Sequence, residues 1–127
     1  MPATLPRAEA RRVLIVEDHA DSRDSLRVLL SIHGCDVRVA ENALDGVRQA
    51  IDWRPDVVIS DINLPGLDGW HLGRQVRAGL GEGVFLVAVS GLGRIDDHRR
   101  SLEAGYNAHL AKPADLNALL GLLRMAA

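Results

Sequence analysis

Five short, mostly apolar runs punctuate this chain: Val13–Val16, Val37–Ala40, Val57–Ser60, Val84–Val89 and Asn107–Ala111. Runs of this length bounded by polar residues predict strands, and near-continuous apolarity predicts strands buried on both faces of a parallel sheet. The segments between and after them repeat apolar residues three and four apart, the spacing of one helix face. Asp21–His33 places Leu26, Leu29, Leu30 and His33 on one side, and Ala43–Trp53 turns Leu44, Val47, Ala50 and Ile51 inward. Further helices are predicted from Asp68 to about Ala78, over Arg94–Ala104, and after Asp115, where Leu116, Leu119, Leu120 and Leu123 share a face.

The punctuation agrees with this division. Gly34 and Gly105 stand where helices should stop, Pro55 breaks the chain before the third run, and Leu64-Pro65-Gly66 is turn chemistry. Asp68 and Asp115 are good helix caps, and Gly79–Gly83 reads as a glycine-rich loop. Five βα units in succession predict an α/β domain, doubly wound, with a five-stranded parallel sheet and right-handed crossovers. Residues 1–11 show no periodicity and read as a flexible lead-in or linker, with the domain over 12–127.

Composition narrows the function more than the fold. A length of 127 residues suits one domain with a real core. The net charge of −2 gives no electrostatic basis for binding nucleic acid or an acidic membrane surface. The longest apolar run, Val84–Val89, is far too short to span a bilayer. The single cysteine, Cys35, rules out an intramolecular disulfide, and a cytoplasmic setting is expected. Of the 15 Lys and Arg residues, only Lys112 is lysine, and it ends the fifth run.

The candidate chemistry sits where the runs end. The first run passes directly into Glu17-Asp18 and the third into Asp61. Ligands of open α/β sheets bind outside the carboxyl ends of the strands, so the two acidic clusters can converge there. Converging carboxylates repel one another unless a hard cation joins them, and Mg²⁺ (or Mn²⁺) is the natural candidate.

Taken in order, Glu17-Asp18, Asp61, Leu64-Pro65-Gly66-Leu67-Asp68-Gly69, Ser90-Gly91 and Lys112-Pro113 resemble the receiver domain of two-component response regulators. The resemblance spans about residues 12–125, and Asp18–Gly34 and Tyr106–Leu120 are similar to receivers attached to hybrid sensor histidine kinases. It implies a flavodoxin-like (βα)5 fold and a signalling phosphoacceptor, not an enzyme with an outside substrate. Asp61 would accept a phosphoryl group from a phosphohistidine of a sensor kinase or histidine phosphotransfer domain. The metal set would be Glu17 (through water), Asp18, Asp61 and the backbone carbonyl of Asn63. Ser90 and Lys112 would contact the phosphoryl oxygens, and Leu92 would shield the acyl phosphate.

In this family an aromatic residue three positions before the lysine turns inward on phosphorylation. Here that position is His109, where the family usually has Tyr or Phe, so Ser90 and His109 form the expected switch. Val28 and Ile32 lie opposite the core stripe of the first helix and mark a kinase- or phosphotransfer-facing patch. Leu122 and Met125 on the last helix mark a homodimer or output contact. His19, His71 and His98 do not combine into metal-ligand spacing, and Trp53 and Trp70 read as packing residues. Two enzyme or carrier alternatives fit less well. A haloacid-dehalogenase-type phosphatase wants a second acid two residues beyond Asp61, where Asn63 stands. A flavin carrier wants Ser, Thr and Gly after the first strand, where Glu17-Asp18-His19 stands. A receiver used only for protein contacts is disfavoured by the complete acidic, serine and lysine set.

Overall fold

A computed structural model describes residues 11–91, 95–112 and 115–125, apart from the side chains of residues 95–97 and 125. The elements are β1 (Arg12–Val16), α1 (Ala20–Ile32), β2 (Asp36–Ala40), α2 (Ala43–Trp53), β3 (Val57–Asp61), α3 (Gly69–Leu80), a short 3₁₀ turn (Gly81–Gly83), β4 (Phe85–Ser90), α4 (Ile95–Glu103), β5 (Ala108–Ala111) and α5 (Leu116–Met125). The five strands form one parallel sheet in the order β2-β1-β3-β4-β5. The chain steps from β1 outward to β2 and then back across to β3, so the strand order reverses between β1 and β3. That reversal opens a crevice at their carboxyl ends.

The strands are apolar throughout because both faces are covered. Successive side chains point to opposite faces. Leu14, Val16, Val58, Leu86 and Ala88 accordingly pack with Ala43 and Ala50 of α2 and Leu72 and Val76 of α3. Val13, Ile15, Val57, Ile59, Val87 and Val89 pack on the other side with Leu30 of α1 and Leu119, Leu120 and Leu123 of α5. The caps act as expected: the Asp68 carboxylate accepts from His71 N–H at 2.9 Å and the Asp115 carboxylate from Ala118 N–H at 3.1 Å. Gly34 and Gly105 end α1 and α4 in the left-handed region, at φ 91° and 100°.

Three expectations about helix faces are corrected. In α2, Leu44 is 62% exposed and Ile51 39%, while Ala43, Gly46 and Ala50 face the core. The small residues win because they let the helix approach closely. A Cβ on Gly46 would stand 2.8 Å from Val16 Cγ2 and 2.9 Å from Leu72 Cδ1. In α1, Leu30 is fully buried but Leu29 is 40% exposed, so the inward stripe is narrower than the periodicity predicts. Leu122 does not face away from the core: it is half-buried against the α1/α5 cluster. The glycine-rich segment is also shorter than expected, because α3 continues through Gly79 to Leu80. Among the described residues, no helix is long and apolar enough to cross a membrane.

Candidate functional site

Strand register brings the acids together. Val16 pairs with Ser60, so the next residues, Glu17 and Asp61, lie side by side beyond the ladder. Glu17 N–H donates to Ala40 O at 3.0 Å, which carries the β1–β2 ladder one residue further and fixes the turn. By the two-residue period, Glu17 continues the column of Val13 and Ile15, and Asp61 that of Val57 and Ile59. Both carboxylates are nearly buried, at 7% and 6% exposure, while Asp18 is exposed. Carboxylate oxygens of Glu17, Asp18 and Asp61 all lie within 4.8 Å of one another.

Lys112 reaches this cluster from the end of β5. Its backbone N–H donates to Ser90 O at 2.7 Å, extending the β4–β5 pairing. Its Nζ donates to Glu17 Oε1 at 2.8 Å and to Asp61 Oδ2 at 2.7 Å. The other Asp61 oxygen accepts from Asn63 N–H at 2.9 Å. One ammonium is thus shared by two buried carboxylates, with a third carboxylate alongside. The titration of the pair reflects that shortage. Burial raises the Glu17 pKa above its ordinary value, helped by the Asp61 charge, and outweighs its bonds to Lys112 and to His19 N–H. Burial alone would lower Lys112, but the Asp61 and Glu17 carboxylates outweigh it and raise its pKa. The two directions are compatible, because Lys112 has two anions to itself while each anion has half a cation. Three hard oxygen donors in excess of local positive charge form a set compatible with a divalent cation.

The backbone around Asp61 is held by a close contact. Gly69 N–H donates to Ile62 O at 3.0 Å. A Cβ on Gly69 would stand 2.4 Å from Asp61 O and 2.6 Å from Ile62 Cα. Only glycine lets the start of α3 rest directly on the chain that carries the acid. Tyr106, almost fully buried, donates from its hydroxyl to Gly69 O at 2.7 Å and clamps the same point. Burial pushes its phenol well above the ordinary value, so it stays neutral. On the β1 side, Arg23 donates to Glu17 O at 3.1 Å. Sequence reasoning missed Arg23 and Tyr106, although Asp68-Gly69 was visible as part of the motif.

Ser90 and His109, the expected switch pair, are joined directly: Ser90 Oγ and His109 Nε2 are 2.8 Å apart. The chain of contacts continues. His109 Nδ1 lies 2.9 Å from Ser101 Oγ, and Trp70 Nε1 donates to Ser101 Oγ at 3.2 Å. His98, expected to be solvated or locally bonded, is exposed, and its ring also stacks on His109 with ring centroids 4.2 Å apart and planes 9° apart. The Arg100 guanidinium lies 3.8 Å over the Trp70 ring. Nothing in the sequence marks Ser101 as a partner of Trp70, because 31 positions separate them.

On α1, Val28 and Ile32 are exposed, at 45% and 72%, and Leu29 joins them to form one apolar patch. Behind it a cavity of about 350 Å³ runs along Leu26, Leu29, Ile59 and Val89 to Asp61 and Lys112. Leu92, Pro113 and the Met125 side chain lie outside the described residues.

A profile of the response regulator receiver domain matches residues 13–124. An uncharacterized 14.6 kDa protein of Leptolyngbya boryana is 34% identical over 113 residues, 88% of this chain and 86% of its own. Response regulator MprA of Mycobacterium sp. (strain KMS) is 32% identical over 89% of this chain, and this chain spans only 49% of its length. Among solved structures, a CheY-like receiver domain protein from Methanospirillum hungatei JF-1 superposes with a TM-score of 0.84 at 28% identity, over 91% of both chains. The receiver domain of Saccharomyces cerevisiae Ssk1, crystallised with the histidine phosphotransfer protein Ypd1, superposes at 0.81 with 27% identity, over 88% of this chain and 85% of that one. The five-stranded parallel sheet in the order β2-β1-β3-β4-β5 agrees with these structural neighbours, and the profile match over residues 13–124 shows that the chain belongs to the response regulator receiver domain family.

Proposed function

We propose that Asp61 is the phosphoacceptor of this receiver, taking a phosphoryl group from a phosphohistidine and relaying it as a conformational signal. The observation that carries this reading is the placement of Asp61: a nearly buried carboxylate at a strand tip, held on one oxygen by Lys112 and on the other by Asn63 N–H, beside two further acids. Carboxylates that form aspartyl phosphates are an established kind of protein nucleophile. An Asp61 oxygen forms the new O–P bond as the P–N bond of the donor breaks; the bonding pair returns to the donor nitrogen, which is protonated.

Glu17, Asp18 and Asp61, with the backbone carbonyl of Asn63, would hold Mg²⁺ (or Mn²⁺). When bound, the ion neutralises charge on the transferring group. The other residues act through their own charge and hydrogen bonds. Lys112 already stands 2.7 Å from Asp61 Oδ2, so its ammonium is in place to meet a phosphoryl oxygen as a point charge. Ser90 follows Val89, the register partner of Asp61, and supplies a hydroxyl from the neighbouring strand. The new group brings about −1.5 to −2 charges. It shifts the protein only through contacts that differ between the two conformations, which Ser90 and Lys112 provide.

The exposed Val28-Leu29-Ile32 patch on α1 is the docking surface for the sensor kinase or phosphotransfer helices. The Ssk1 receiver, crystallised with Ypd1, supports a partner of that kind. The reading places the domain in the cytoplasm, as a signalling acceptor that acts only on its own phosphoryl group. Incubation with phosphoramidate and Mg²⁺, followed by intact mass, tests it. Wild type should gain one phosphoryl group and Asp61→Asn none; a wild-type mass that does not change refutes the assignment.

A further inference from the structure

The contacts behind Ser90 form a directional chain. Trp70 Nε1–H can only donate, so Ser101 Oγ accepts from it. An oxygen that already accepts one bond becomes a stronger donor. That favours the arrangement in which Ser101 O–H donates to His109 Nδ1, 2.9 Å away. A neutral imidazole that accepts at Nδ1 carries its proton on Nε2, and Nε2–H then donates to Ser90 Oγ at 2.8 Å. In the opposite arrangement Ser90 spends its proton on the imidazole. The direction of the chain is thus biased from Trp70, the second residue of α3, two elements away from Ser90. The ring of His98 stacks on His109 and Ser101 is 1% exposed, so the imidazole is held in plane while both its nitrogens stay bonded.

We propose that Ser101 and Trp70 are positioning residues for the phosphoryl reaction: through His109 they turn the Ser90 hydroxyl proton away from the imidazole and toward the phosphoryl oxygens. The inference rests on the reading of Asp61 as phosphoacceptor. Losing Ser101 Oγ leaves His109 Nδ1 without that donor. The tautomer that takes the Ser90 proton then becomes accessible, and the serine meets the phosphoryl group as an acceptor rather than a donor.

The test is the rate of phosphoryl gain from phosphoramidate with Mg²⁺, followed by intact mass, in Ser101→Ala, Trp70→Phe, Ser90→Ala and the Ser90→Ala/Ser101→Ala double variant. Thermal melts confirm that each is folded. Ser101→Ala should slow the wild-type rate about five-fold, the loss of one hydrogen bond of ordinary net strength. Trp70→Phe keeps the ring bulk but lacks the N–H, and should slow it in the same direction. In the Ser90→Ala background, Ser101→Ala should change nothing further, which a merely structural role for Ser101 does not predict. Ser101→Ala or Trp70→Phe reacting at the wild-type rate, or an equal slowing with and without Ser90, overturns the inference while leaving the acceptor assignment intact. A wild-type protein that gains no phosphoryl group overturns both.

Discussion

Gly69→Ala sets a small side chain against the backbone that carries Asp61. Its backbone φ is not in the left-handed region, so alanine meets no conformational penalty there. As the first residue of α3, alanine should even gain about 0.5–1 kcal/mol through helix propensity and reduced unfolded-state entropy. Against that stands the contact: 2.4 Å to Asp61 O and 2.6 Å to Ile62 Cα, both backbone atoms with no rotamer to yield. Overpacking typically costs about 1–3 kcal/mol, and backbone on backbone belongs at or above the top of that range. The net expectation is a loss of about 2 kcal/mol, or roughly 6–10 °C in Tm for a domain of this size. Gly121→Ala is the control, since it lies within α5, meets no atom beyond its own helix within 4 Å of its Cβ position among the described residues, and should hold or raise stability. Thermal and urea melts followed by circular dichroism measure both. A Gly69→Ala protein that melts with or above wild type would show that the α3 start does not rest on the acceptor strand as described.

Three further outcomes follow from the same geometry. Adding Mg²⁺ should stabilise the folded protein, and so raise Tm, with the logarithm of its concentration above Kd, by about 1.4 kcal/mol of stability at ten times its Kd, and Asp18→Ala should abolish most of the gain; calorimetry with and without chelator checks this. In chelator, the folded protein holds a Glu17 proton that the unfolded chain has released above pH 4.5, because the folded pKa is raised. Stability should therefore fall as pH rises from 4.5 through the raised value, and Glu17→Gln should flatten that slope in urea melts taken across the window. Ile32→Asp changes a side chain that is 72% exposed, so folding should be untouched and phosphoramidate should react normally. Transfer from a phosphorylated histidine phosphotransfer domain should slow by about ten-fold, as for an interface hot spot, and equal transfer rates for variant and wild type would remove the α1 docking surface.

Much of this was legible along the chain for definite reasons. Strands buried on both faces must be apolar at every position, so Val13–Val16 and Val57–Ile59 announce themselves without any periodicity. Acids that terminate such runs have nowhere to go but the sheet edge, which is why Glu17, Asp18 and Asp61 converge as expected. Helix faces were harder. Leu44 and Ile51 outrank Ala43 and Gly46 on any hydrophobicity scale, yet close approach of α2 to Val16 and Leu72 selects the small residues. The surroundings of His109 were illegible, because Ser101, His98 and Trp70 reach it from α4 and α3 only once the chain is folded. Lys112 was expected to contact phosphoryl oxygens; that Glu17 and Asp61 divide its ammonium between them is a fact of distance that no spacing reveals.

The two outermost strands also decide how this molecule can associate. β5 is only four residues long, and β2 turns Asp36 and Arg38 to solvent. A truncated rim on one side and a charged rim on the other are poor templates for another chain to continue the ladder. Self-templated fibril growth is accordingly discouraged, whereas the exposed Val28, Leu29 and Ile32 lie on a helix, clear of the hydrogen bonds of the sheet.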